Sequence, residues 1–175
     1  KCANRIPDGN YSVRAQENNG ATWALCMMNM FLHNINVTTQ QIKWGDTLRD
    51  PQLLKDSQTL ERFNIVVANP PFSLDKWGQD EVGEDRFNRF HRGLPPKSKG
   101  DYAFITHMIE ITYTDPAENG RVGVIVPHGV LFRREEAEMR QKLVEADLVE
   151  CVLGLGPNLF YNSPMEACVV VCRSQ

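Results

Sequence analysis

The sequence lacks an excess of basic residues: 19 Lys and Arg stand against 22 Asp and Glu, a formal net charge of -3. This excludes a global positive field, so that contact with nucleic acid or an anionic membrane would need a local patch or a partner. The sequence also has no apolar run long enough to cross a bilayer and no signal peptide. The five cysteines are an odd number without CxxC spacing, which favours reduced thiols in a cytoplasmic protein. The four histidines show no ligand spacing with cysteines or acids, so no metal site is predicted.

The size and composition are those of one mid-sized domain, with 175 residues, 42% hydrophobic and 23% charged. Apolar runs predict strands at residues 11–15, 41–44, 63–68, 121–126, 148–155 and 167–172, and helical spacing predicts helices at residues 21–34, 101–114 and 133–146. We expect the first helix to be buried over most of its circumference, because it carries two apolar stripes. This order predicts an α/β, Rossmann-like domain, with a mostly parallel sheet covered on both faces and an antiparallel C-terminal edge.

Residues 73–100 are polar and lack periodicity, and they predict one long loop, a feature that usually carries function or is disordered. The first half is acidic, whereas the second half carries aromatic side chains among the basic residues Arg86, Arg89, Arg92, Lys97 and Lys99. Basic and aromatic side chains together suit contacts with a DNA backbone near an extruded base. The alternative is a solvated loop whose two halves neutralise each other, and the sequence leaves both open.

The most informative tetrapeptide is Asn69-Pro70-Pro71-Phe72, which directly follows the strand predicted at residues 63–68. Ligands of open α/β sheets bind beyond the carboxyl ends of the strands. An amine conjugated to a ring is a poor nucleophile, and two acceptors, the side-chain carbonyl of Asn69 and the backbone carbonyl of Pro70, can favour its reactive pyramidal form. The prolines fix the backbone, and Phe72 offers a stacking face worth about 1–3 kcal/mol to a base. The simpler alternative is a strand end with a Pro-Pro turn and a core phenylalanine.

The tetrapeptide and its flanks resemble the N6-adenine DNA methylase family and, within it, the modification subunit of type I restriction–modification systems. The resemblance runs from about Tyr11 to Arg173 in five ordered blocks, at residues 14–18 with 22–30, 45–48, 65–73, 120–133 and 158–160. It implies a Rossmann-like methyltransferase fold and methyl transfer from S-adenosylmethionine to adenine N6 in duplex DNA. Asn69, Pro70, Pro71 and Phe72 would form the catalytic motif, and the target base would have to leave the duplex.

The resemblance also implies cofactor-binding residues and partners. Glu17, with Asn18 beside it, would bind the ribose hydroxyls of S-adenosylmethionine, Asp46 with Thr47 would bind its adenine amino group, and Asn69 would contribute from the catalytic motif. In the simpler alternative Glu17 is a charge at a helix N-terminus and Asp46 an ordinary turn residue. The implied partners are duplex DNA, a specificity subunit that reads the DNA sequence, and a restriction subunit, with no membrane. The acidic net charge fits target selection by another chain.

The sequence departs from the family ahead of its first block. Only sixteen residues precede Glu17, and they contain no counterpart of the family's glycine-rich cofactor loop, first strand or N-terminal helical domain. Because the sequence also begins at Lys1 rather than Met, we expect residues 1–175 to be a partial catalytic domain, truncated at the N-terminus and binding S-adenosylmethionine weakly or not at all by itself. A sheet without its first strand exposes edges, which we expect to associate, a second copy being one candidate. Asn64 stands where many relatives carry Asp.

Two other functions stay open at this point. A protein-glutamine N-methyltransferase would use the same tetrapeptide, because an amide nitrogen is an equally poor nucleophile, although the flanking blocks favour DNA. A non-catalytic scaffold would keep the fold only to dock other subunits, although the intact tetrapeptide at residues 69–72 favours an enzyme.

Overall fold

The computed structural model describes residues 9–82, 85–160 and 164–173. The chain divides into two compact units, residues 1–54 and residues 55–175. Within the described ranges, no helix has both the length and the apolar character that a membrane span needs.

The first unit contains two short parallel strands and one helix. β1 (Ala15–Glu17) pairs in parallel with β2 (Ile42–Trp44), and α1 (Gly20–Leu32) connects them. Asn19 caps α1, because its side-chain oxygen accepts hydrogen bonds from the first free amides of the helix. β1 begins four residues later than the sequence predicts, whereas α1 and β2 lie within two residues of their predicted positions.

The second unit is built on a four-stranded sheet with the order β5-β6-β8-β7. A short hairpin of β3 (Leu54–Asp56) and β4 (Thr59–Leu60) comes before it along the chain. The sheet and its helices are β5 (Ile65–Ala68), α2 (Asp101–Glu110), β6 (Arg121–Pro127), α3 (Ala137–Glu145), β7 (Val149–Gly154) and β8 (Ala167–Arg173). β5 and β6 are parallel, while β8 is antiparallel to both β6 and β7. The antiparallel C-terminal pair is thus confirmed, and the four-stranded sheet as a whole is mixed.

The core of the second unit lies on one face of this sheet. Alternate residues of β6 and β8, with Val124 and Cys168 among them, are buried against Ile105 and Met108 of α2 and Leu143 of α3. This alternation has the strand period of two, which is the pattern by which the sequence predicted both strands.

Two expectations about burial are wrong. α1 has no buried residue, and Leu25, Met28 and Phe31 are exposed, because the two-stranded sheet of its unit is too narrow to cover two apolar stripes. In the described part of the second unit, α2 and α3 pack on the same face of the four-stranded sheet, so that no helix of this unit covers the other face. On β5, Ile65 and Val67 are 64% and 66% exposed.

The segment after the tetrapeptide at residues 69–72 is packed, although its described part, residues 73–82 and 85–100, contains no helix or strand. Trp77 is buried, and its Nε1 donates to the carbonyl of Pro96 at 2.9 Å. The ring of Trp77 lies 5.5 Å from that of Phe90. The amide of Gly100 donates to the carbonyl of Leu74 at 2.9 Å, which brings the two ends of the segment together. Such compact loops are often functional.

Candidate methyltransferase site

The tetrapeptide lies at the carboxyl end of β5, beside the parallel strand β6. The side chains of Asn69 and Pro71 are exposed, Pro70 is buried and Phe72 is half-buried. Pro70 therefore anchors the turn, while Asn69 stays accessible to a ligand at the edge where open α/β sheets bind them.

Phe72 does not stand alone. Its ring meets that of Phe160 edge to face, with centroids 5.6 Å apart and planes at 88°. Such pairs are worth about 0.5–1.5 kcal/mol beyond their buried area. Phe160 belongs to the last block of the resemblance. Sequence analysis did not predict the contact between the two rings, because 88 positions separate the residues.

A buried ionic cluster adjoins the tetrapeptide. Asp101, the first residue of α2, is 1% exposed, and its Oδ2 accepts a hydrogen bond from Arg133 Nη1 at 2.7 Å. Arg133 Nη1 lies 3.3 Å from Oε1 of Glu136, a carboxyl group that is fully buried. Burial raises the pKa of Glu136, and its Oε2 has no hydrogen-bond partner in the part of the chain that the structure describes. Two buried carboxyl groups thus share one guanidinium, an arrangement that sequence analysis missed.

The four residues of the first unit predicted to bind a cofactor lie at one edge of its sheet. Glu17 ends β1, Asp46 comes two residues after β2, and the amide of Gly45 donates to the carbonyl of Glu17 at 3.0 Å. Asn18 is exposed and Thr47 half-buried. Carboxyl ends of parallel strands open at the same edge, so this is where a nucleotide-like ligand would lie.

Both carboxylates are oriented by local hydrogen bonds. Glu17 Oε1 accepts from the amide of Asn19 at 2.7 Å, and Asp46 Oδ1 accepts from the amides of Leu48 and Arg49 at 2.9 and 3.0 Å. These bonds are those of the simpler alternatives, a helix-end charge and a turn. They engage Oε1 of Glu17 and Oδ1 of Asp46, and Oδ2 of Asp46 lies 3.9 Å from Nε of Arg49.

Arg89 lies in the core of the loop rather than on its surface. It is 1% exposed, and its Nη2 forms an ion pair with Asp85 Oδ1 at 2.9 Å. Its Nη1 lies 3.1 Å from Nδ1 of His107 in α2. Because a guanidinium can only donate, Nδ1 of His107 must be the acceptor, so the ring is neutral. The prediction that Arg89 contacts DNA is therefore wrong, since a phosphate cannot reach it.

The other basic residues of the loop have different surroundings. Arg86 is exposed and lies over the ring of the phenylalanine that follows it. Arg92 hydrogen-bonds Glu110, and Lys97 hydrogen-bonds Asp80. The Lys97–Asp80 pair joins the two halves of the loop, as the alternative of mutually neutralising halves requires, whereas the partner of Arg92 lies in α2.

The fold, with candidate binding residues at the carboxyl ends of its parallel strands, is that of one class of proteins, the Rossmann-like methyltransferases. The fold alone is shared, at 14% identity and a TM-score of 0.70, by a Listeria monocytogenes protein assigned to the class I S-adenosylmethionine-dependent methyltransferases, with 98% of this chain and 48% of that chain covered. The model of the N-6 DNA methylase family matches residues 4–175. The chain belongs to the N-6 DNA methylase family.

Its relatives are methylase subunits of type I restriction enzymes. The chain is 30% identical over 162 residues to the HindI methylase subunit of Haemophilus influenzae, covering 91% of this chain and 34% of the relative. It is 31% identical, with a TM-score of 0.81, to the crystal structure of a type I restriction-modification methyltransferase subunit from Streptococcus thermophilus, covering 94% of this chain and 34% of that chain. The chain thus spans about a third of the length of these relatives, and the resemblance stated from the sequence is confirmed.

Proposed function

We propose that the protein carrying this chain is a DNA adenine-N6 methyltransferase, which uses S-adenosylmethionine and acts as the methylase subunit of a type I restriction–modification system. The observation that carries the proposal is an exposed Asn69 on a proline-fixed turn at the carboxyl end of β5, in a chain of the N-6 DNA methylase family.

The tetrapeptide would activate the amine by accepting its hydrogen bonds. The side-chain carbonyl of Asn69 and the backbone carbonyl of Pro70 accept hydrogen bonds from the two N–H groups of adenine N6. These bonds move the nitrogen lone pair out of conjugation. S-adenosylmethionine, when bound, supplies a methyl group on a sulfonium sulfur. The lone pair would form the new N–C bond while the C–S bond breaks with its electron pair left on sulfur, and N6 would then lose one proton to solvent. Such a reaction depends on positioning and electrostatics rather than on a covalent intermediate.

Phe72 would hold the target base outside the duplex. Base extrusion costs a few kcal/mol, and stacking on an aromatic face returns about 1–3 kcal/mol. Phe72 is half-buried and braced by Phe160, so its ring is fixed before the base arrives.

Glu17 and Asn18 would bind the ribose of S-adenosylmethionine, Asp46 and Thr47 its adenine, and Asn69 the part next to the methyl group. Support comes from the position of the first four at one edge of the β1–β2 sheet. The carboxylates of Glu17 and Asp46 would provide the acceptors that this cofactor needs. No glycine-rich loop precedes them in residues 1–16, so we expect residues 1–175 alone to bind the cofactor weakly.

Arg86 and Lys99 are the basic loop residues that we propose for DNA contact, with Arg92 and Lys97 able to exchange their carboxylate partners for phosphates. In the full-length protein, replacing Arg86 and Lys99 by alanine should lower the slope of log affinity against log salt by about one per lost phosphate contact. The matched control is Lys142→Ala on α3, which should leave the slope unchanged. A double variant with the wild-type slope would refute this assignment.

Partners and location follow from the same proposal. A specificity subunit and a restriction subunit would join this protein on duplex DNA in the cytoplasm. β5 is an edge strand of the described sheet, and an unpaired edge favours association. We therefore include pairing of this edge with another strand, in the same protein or in a second copy.

Methyl transfer to duplex DNA tests the proposal. The full-length protein, assembled with its specificity subunit, is incubated with radiolabelled S-adenosylmethionine and either duplex DNA or a glutamine-containing peptide. Asn69→Ala should lower DNA methylation about a hundredfold or more, as removal of a single preorganised hydrogen-bonding group does elsewhere, and leave assembly intact. Asn64→Ala, at the other end of the same β-strand region, is the control. Labelling of the peptide alone would support the glutamine methyltransferase, and no labelling of either would support a scaffold.

A further inference from the structure

Ser73, the residue after the catalytic tetrapeptide, has a strained backbone that the buried ionic cluster holds in place. Its φ is 51°, in the left-handed region that residues other than glycine enter at a cost. Its amide donates to Asp101 Oδ1 at 2.8 Å, and Arg133 Nη2 donates to its Oγ at 2.9 Å. The cluster thus hydrogen-bonds both the backbone and the side chain of Ser73.

These contacts depend on the shape of a guanidinium. Arg133 reaches Asp101 through Nη1 and Ser73 through Nη2, so that one rigid plane joins α2 to the end of the motif. The ammonium group of a lysine carries the same charge but lacks the planar pair of nitrogens with which the guanidinium meets Asp101 and Ser73. Gly129 encloses the plane from another side, since a Cβ there would lie 2.5 Å from Arg133 Nε.

We propose that Arg133 is a positioning residue for methyl transfer: anchored by Asp101, it locks Ser73 and thereby fixes the direction of Asn69 and Phe72. Only three residues separate Asn69 from Ser73, and two of them, at positions 70 and 71, are prolines. A turn this stiff transmits a constraint at its end to its beginning. The inference rests on the proposed function for its reaction, but the contacts themselves do not.

Hydrogen exchange in the full-length protein tests the contacts without requiring activity. The Ser73 amide is protected by Asp101, so Arg133→Lys should raise exchange in the peptide spanning residues 69–76 about tenfold, as loss of a local closing interaction does. The matched control is Arg134→Lys, the exposed arginine next in sequence, which should exchange as the wild type does. Unchanged exchange in Arg133→Lys would overturn the proposal.

Methylation kinetics test the consequence. In Arg133→Lys the single-turnover rate should fall about tenfold or more, while the KM for S-adenosylmethionine and the Kd for DNA stay within about twofold, because misplacement costs rate rather than binding. Ser73→Ala removes the Oγ contact and leaves the Asp101–Arg133 pair, so it keeps the test available if Arg133→Lys does not fold. We expect it to lower the same rate at least about threefold. A rate within twofold of the wild type in either folded variant would overturn the proposal. A wild-type protein that shows the expected exchange but methylates no DNA would instead refute the proposed function.

Discussion

The buried contact between Arg89 and His107 predicts how stability depends on pH. Burial lowers the pKa of His107 from 6.5 to about 3, and the charge of Arg89 adds to this effect. In the unfolded chain His107 therefore binds a proton near pH 6.5, whereas in the folded protein it binds one only near pH 3. The contribution of His107 to the free energy of unfolding is therefore at its full value above pH 6.5, and it is lost as the pH falls from 6.5 towards 3.

The expected loss can be worked out from the two pKa values. Between pH 7 and pH 4.5 the free energy of unfolding should fall by about 2–3 kcal/mol through His107 alone, since each unit below 6.5 costs about 1.4 kcal/mol. This magnitude changes little as long as the folded pKa lies below about 4. The burial of the ring and the donor-only character of Arg89 both lower the pKa of His107.

Urea unfolding at the two pH values measures the effect. His107→Asn keeps an acceptor toward Arg89 but does not titrate, so its stability should fall by about 2–3 kcal/mol less than that of the wild type over this range. His33→Asn replaces an exposed histidine and should lose stability as the wild type does. Equal losses in the wild type and in His107→Asn, or an imidazole resonance of His107 that titrates near pH 6, would refute the reasoning.

Three further outcomes follow from the structure. Trp77→Ala should lower the free energy of unfolding by about 3–5 kcal/mol, measured in urea, because it removes a buried indole; a loss under 1 kcal/mol would mean that the loop is not packed. Gly129→Ala should slow methylation as Arg133→Lys does, because the new Cβ displaces the Arg133 guanidinium, and an unchanged single-turnover rate would contradict this. Iodoacetamide at pH 8 should label the exposed Cys151 well before Cys172, as followed by mass spectrometry, because burial raises the pKa of the Cys172 thiol to about 11; equal labelling would contradict it.

Local signals in the sequence were enough for the four strands of the mixed sheet and for the motif. The apolar residues of β6 and β8 predict both strands, whose residues are buried with a period of two. The prolines after β5 mark the end of β5. The family resemblance rested on such ordered blocks. β3 and β4 were missed because strands of two or three residues are too short to show a period.

Burial of charge was the feature that the sequence could not reveal. Arg89 lies in a basic, aromatic stretch whose composition is typical of a protein surface. Its burial depends on two partners, Asp85 four residues away and His107 from another element. The same holds for the contact of Ser73 with Arg133, which joins residues 60 positions apart. A single sequence shows composition and period, whereas these partners meet only after the chain has folded.

α2 connects the two buried polar clusters of the second unit. Asp101 at its first turn holds Ser73 and Arg133, and His107 near its end holds Arg89. Eight of its ten residues are buried, so the helix is a fixed reference against which both the end of the motif and the middle of the loop are placed. The two attachments have different consequences, because only Ser73 adjoins the motif. Changes at Asp101 should therefore act on the rate of methyl transfer, whereas changes at His107 should act on the stability of the loop.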